Sequence, residues 1–258
     1  MISRLFLLSG ADLALTDSVS VHHPSIDDIL HINNGMLCEE CYWGYVSALL
    51  SDPYDYMVYL DDKKIDYETV SPLFVFTLRW LDAVEEKVRD AGSTSLSFLQ
   101  DALTFFFGSR DYDIVTLSGF PFLIDRNDET WCMNEQVFQI ASDFIFQINC
   151  MERKDKIRPA TPGAKRMLIE DARSEQKRRL RSKEPPKREE HIASALATVL
   201  AGGAGTITPE NFMHTCIYQL LSTSRSVQRQ MVVQSMLNGI YTGMMKADKL
   251  SEEDMRWV

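Results

Sequence analysis

Few residues in this chain have the types and spacing that chemistry requires. Cys38-Glu39-Glu40-Cys41 is the one CxxC. A closed zinc site needs four ligands, commonly two such pairs or one pair with two histidines. Cys132, Cys150 and Cys216 stand alone, and His22, His23 and His31 lack metal-ligand spacing, so Cys38 and Cys41 are a weak candidate pair and no metal or cofactor is expected. Carboxylates cluster at Asp52/Asp55, Asp61/Asp62/Asp66, Asp111/Asp113 and Asp125/Asp128/Glu129. Asp125-x-Asn127-x-Glu129 opens like a calcium loop, but Thr130 and Gln136 occupy the places of its glycine and its bidentate glutamate. The run 201–206 is glycine-rich enough for an anion nest, yet it lacks the Gly-Lys-Ser/Thr of a P-loop and follows no apolar strand. There is no GxSxG and no HExxH. His22-His23-Pro24 reads as the end of a strand. None of these residues carries a diagnostic catalytic signature.

Charge separates the chain into regions. Residues 1–150 hold 8 Lys and Arg against 24 Asp and Glu, residues 151–200 hold 14 against 8, and residues 201–258 hold 5 of each. The acidic front disfavours nucleic acid, whose binding is driven by cations neutralising phosphates. The basic stretch carries acidic residues of its own and has no aromatic side chain for base stacking. It reads as a solvated linker helix or as a helix facing an acidic protein surface, including the acidic front of another copy. No apolar run approaches the roughly 20 residues of a membrane span. Gly10 and Asp12 interrupt the N-terminal apolar run, so a cleaved signal is not expected. Five scattered cysteines fit a reducing compartment.

The elements that would position these groups are mainly α. Residues 3–22 alternate short apolar runs with turns and predict a small β-meander. Helical periodicity follows over 26–50 with a break at Asn33-Asn34-Gly35, and a short helix is expected after Asp52-Pro53. Further helices are predicted from Ser71-Pro72 and over 95–107, then a β-hairpin across Ser118-Gly119. Asn134 caps a helix whose expected buried stripe is Val137, Ile140, Ala141, Phe144, Ile145 and Ile148. Residues 163–184 favour helix but carry few apolar positions, so this segment should bridge, protrude or fray. Three helices should close the chain: one around 192–200, one from Thr208-Pro209 with Ile207 stapled to Phe212, and one over about 226–245. The expected organisation is an acidic α+β domain at 1–152, a basic Pro-bracketed linker at 153–188 and a helical domain at 189–258.

Two stretches carry a resemblance. Leu8-Ser9-Gly10, the run from Val21 to Ile29, Asp52-Pro53-Tyr54 and the run from Leu60 to Glu68 resemble the tail assembly chaperones of long-tailed, siphovirus-like bacteriophages. So do Tyr218-Gln219-Leu220, the run from Asn238 to Gly243, Asp248-Lys249 and Trp257. The resemblance covers about the first 70 and last 50 residues. It implies a non-catalytic protein of the host cytoplasm. Such a protein coats the apolar, helical tape measure protein and helps recruit the tail tube protein; self-association, through the basic helix and the acidic front of another copy, is a separate expectation. A chain with 12 Met, 13 Phe and 9 Tyr can supply adaptable apolar grooves for such a client. Phe212, Ile217, Leu220, Met231, Leu237 and Tyr241 are the candidate client-binding residues, and the same spacing equally describes an ordinary core. The rival readings are a structural component of the virion tail and a metal-dependent enzyme using Cys38 and Cys41.

Overall fold

The computed structural model describes residues 2–32, 39–152, 159–181, 191–202, 207–242 and 244. It is mainly α: among these residues ten α-helices stand beside a two-stranded and a three-stranded sheet. None of the helices among these residues is long and apolar enough to cross a membrane. The chain forms two compact units, each assembled from separated stretches.

The first unit comprises Met1–Gly10, Pro24–Glu39 and Glu189–Val258. Helix α1 (Arg4–Ser9) stands where a strand was expected. Ser3 caps it by accepting the Phe6 amide, and Gly10 ends it at φ 69°. That backbone suits glycine, and an added Cβ would lie 3.3 Å from the Cys216 Cβ. Helix α2 (Ile26–Leu30) opens with a capping box in which Ser25 and Asp28 exchange hydrogen bonds. The break expected at 33–35 lies outside the described residues.

Helix α9 (His191–Ala201) packs on α10 (Ile217–Tyr241). The helix expected from Thr208-Pro209 does not form. The Asn211 side chain takes the Thr208 amide, and only a 3-10 turn follows at Phe212–His214. An antiparallel bridge then holds residues 215–216 extended: Ile26 N–H donates to the Thr215 carbonyl and Ile217 N–H to that of Pro24. The later part of that expected helix, with Ile217 and Leu220, runs on into the one expected over about 226–245 as the single helix α10. Within it Ser222 and Ser226 return their hydroxyls to the carbonyls of Gln219 and Ser222.

The second unit comprises Ala11–His23 and Glu40–Arg188. The expected meander reduces to a hairpin of β1 (Leu13–Ala14) and β2 (Ser20–Val21). Helices α3 (Glu39–Leu50), α4 (Met57–Asp62), α5 (Pro72–Arg89) and α6 (Ser95–Phe107) follow. Ser71 caps α5 ahead of Pro72, as its sequence predicts. The hairpin across Ser118-Gly119 is present, and both turn residues have positive φ. It gains a third strand, so the sheet order is β3 (Tyr112–Leu117), β4 (Phe120–Asp125), β5 (Asp128–Met133).

Helix α7 (Glu135–Ile148) starts at Asn134, whose side chain accepts the Val137 amide. Its buried face is Phe138, Ala141, Ser142, Phe144, Ile145 and Ile148, whereas Ile140 is half exposed. The stripe is therefore rotated from the expected one, because Phe138 meets the Phe76 ring of α5 at 5.5 Å. Trp131, Tyr42, Phe76, Phe106, Phe138 and Phe144 are the bulk of this unit's core. Helix α8 (Pro162–Arg181), expected to bridge, protrude or fray, packs against α4.

Candidate functional site

Helix α10 sorts the six client-binding candidates by environment. Ile217 and Leu220 are fully buried and belong to the core of their own unit, alongside Val227 and Val233. Phe212 and Leu237 are half-buried. Met231 is 46 % and Tyr241 84 % exposed, and they are joined by Val232 and by Met244 just beyond the helix. The apolar period thus runs along the whole helix, but it is covered over its first turns and open over its last. Gly202, just past the end of α9, lies close against α10. A Cβ there would stand 2.3 Å from Val227 Cγ1 and 3.0 Å from the Thr198 carbonyl oxygen.

The residues with possible chemistry are mostly occupied by structure. Cys38 lies outside the described residues, as do 203–206 of the glycine-rich run and the Asp248, Lys249 and Trp257 positions of the resemblance. Cys41 is a half-buried cysteine on α3. Among the described residues no three His, Cys, Asp or Glu are grouped to hold a metal ion. Asp125 closes the β4–β5 turn by accepting the Asn127 amide and binds Arg110, which also reaches Asp128 and lies over the Trp131 ring. The Asn127 amide, and after it Arg110, hold Asp125 below the usual carboxylate range. Asp113 pairs with Arg126, and Asp52 accepts the Tyr54 amide. These carboxylates shape turns.

His22 and His23 differ despite adjacency. His22 Nδ1 lies 3.0 Å from an Asp12 carboxylate oxygen, and the same oxygen accepts the His23 backbone N–H. The His23 ring is 3 % exposed and packs edge-on against Phe144. Neither of its nitrogens makes a hydrogen bond of good geometry among the described residues. Burial, reinforced by His22, pushes its pKa down to about 4, against the opposing pull of Asp12 and the Ala11 carbonyl.

Sequence reasoning missed a third cluster. On α8, Lys165 reaches Asp66 and Glu68 and sits over the Tyr67 ring, while Arg173 reaches Asp61 at 2.9 Å and also Asp62. Between them Ile169 enters an apolar cluster with Leu60, Tyr67 and Val75. Desolvation works against the Lys165 ammonium, yet its bonds to Asp66 and Glu68 prevail and raise its pKa. Hydrogen bonding to Lys165 in turn lowers that of Asp66. The signal was present in the spacing. Lys165, Ile169 and Arg173 recur every fourth residue, on one helix face, and four carboxylates lie within 61–68. Compared with known protein families, curated proteins and solved structures, the chain matches none of them.

Proposed function

We propose that this chain is a non-catalytic tail assembly chaperone that holds apolar helical segments of a tape measure protein in soluble form in the host cytoplasm and assists tube assembly. The observation that carries the reading is the exposure of Met231, Val232 and Tyr241 on the distal half of α10 and of Met244 just beyond it, which present thioether, aliphatic and aromatic surface to solvent. Flexible methionines beside an aromatic ring adapt to many apolar helices, which suits a client lacking one fixed motif. The acidic balance of residues 1–150 would keep a loaded complex in solution. The motifs shared with tail assembly chaperones point the same way.

The test is co-expression with the tape measure protein encoded beside this chain. The wild-type chain should raise the soluble fraction of the client. Met231→Glu with Tyr241→Ser should reduce that gain about tenfold, since two exposed anchors are lost while the core is untouched. No gain with wild type, or the same gain with the variant, would overturn the proposal. Finding the chain at fixed copy number in purified particles would assign it instead to the tail structure.

A further inference from the structure

The seat of α8 has the character of a recognition site. Asp61 and Asp62 lie in the last turn of α4, where the helix dipole disfavours anions, and Asp66 and Glu68 follow at once. Four carboxylates so placed call for cations from elsewhere, and α8 delivers two of them from one face. The floor between them consists of Leu60, Tyr67 and Val75, bordered by Met57 and Leu78, all supplied by α4, α5 and the segment joining them, and by Tyr54 from the turn before α4. Within this floor the Tyr67 hydroxyl is buried and has no hydrogen-bond partner among the described residues.

The occupant is lightly held. Along α8 the one side chain described as buried is Ile169 at 8 %, and Met167 is 66 % exposed. The flanking ion pairs are partly open to water, with Arg173 37 % and Asp62 64 % exposed. Such pairs contribute little individually and weaken with salt.

We propose that the surface formed by the end of α4 and residues 61–68 is a receptor for basic amphipathic helices, that α8 is its built-in occupant, and that a partner protein's helix with the same cation–aliphatic–cation spacing competes for it. Charge and spacing define that partner: Lys or Arg, an aliphatic residue four positions on, and a second cation four positions beyond. The inference is independent of α10 and of the chaperone reading.

The probe is a synthetic alanine–glutamine helix carrying only the Lys-x3-Ile-x3-Arg pattern, titrated against the full-length chain. Lys165→Glu with Arg173→Glu should eject α8, so this opened chain should bind the probe about tenfold more tightly than wild type, and less tightly as salt rises. A probe with both cations changed to glutamate should not bind. No binding to the opened chain, equal affinity for both chains or indifference to salt would each overturn the proposal. A wild-type dimer that blocks the probe would also overturn it, giving the seat to the α8 of a second copy. Hydrogen exchange on wild type supplies a readout free of variant folding. Raising salt from about 0.05 M to about 1 M should lower amide protection along α8 about tenfold while leaving α5 and α7 unchanged. Unchanged protection in α8 would count against it.

Discussion

Replacing His23 by leucine isolates the contribution of a buried neutral imidazole to acid stability. In the native chain the ring is held neutral with a pKa of about 4, whereas the unfolded chain restores the ordinary value of 6.5. The native pKa is the depressed one. The unfolded state therefore binds more protons between these two values, and stability present above pH 6.5 is lost as pH falls towards 4. Integrating the two titrations gives a loss of about 2 kcal/mol on moving from pH 7.5 to pH 5, and about 3 kcal/mol by pH 4. Leucine carries no proton and fills a similar volume against Phe144. The variant should therefore match wild type within about 1 kcal/mol at pH 7.5 and exceed it by about 2 kcal/mol more at pH 5. The assay is urea unfolding of both proteins at the two pH values. Taking the difference of differences cancels the groups common to both chains. If the two chains lose equal stability between pH 7.5 and pH 5, His23 is not the buried neutral group described above and the reasoning fails.

Two further substitutions probe the frame. Gly202→Ala should lower stability by about 2 kcal/mol, because its Cβ would overlap Val227 Cγ1 at 2.3 Å and the nearby Thr198 carbonyl is backbone that cannot turn away; a melting temperature within error of wild type would contradict the close approach of α9 and α10. Asn134→Ala removes the side chain that accepts the Val137 amide and should cost about 1 kcal/mol, read by urea unfolding, whereas Asn134→Ser should restore most of it.

Local signals account for what the sequence disclosed. Ser71-Pro72, Asn134 and Ser118-Gly119 act through atoms a few residues away, and α5, α7 and the hairpin begin or turn where those residues place them. The misread elements depend on distant partners. Residues 215–216 are extended because Pro24 and Ile26 bond to them across the chain, and no local propensity records that bridge. Helix α1 was misjudged for a different reason: six residues with a serine before and a glycine after fit a capped helix as well as an apolar strand. The candidate surface was half legible. Periodicity finds the apolar face of α10 but cannot say whether its own unit covers it, so Ile217 and Leu220 looked like Met231 and Tyr241. With α8, polarity all round suggested solvent or a partner, while the compensating carboxylates lay about a hundred residues earlier.

The pairing of α1 with α10 has a consequence for synthesis. The Gln219 side chain donates to the Leu8 carbonyl, and Cys216 packs over Gly10, at a sequence separation of 211 in the first case. Translation at ordinary rates separates the emergence of these partners by roughly 10–40 s. For that interval α1 lacks its α10 partner, while the second unit's residues become available in between. The first unit is thus the last to close, and a nascent chain arrested before α10 should hold Leu7 open to any apolar-binding factor at the tunnel exit.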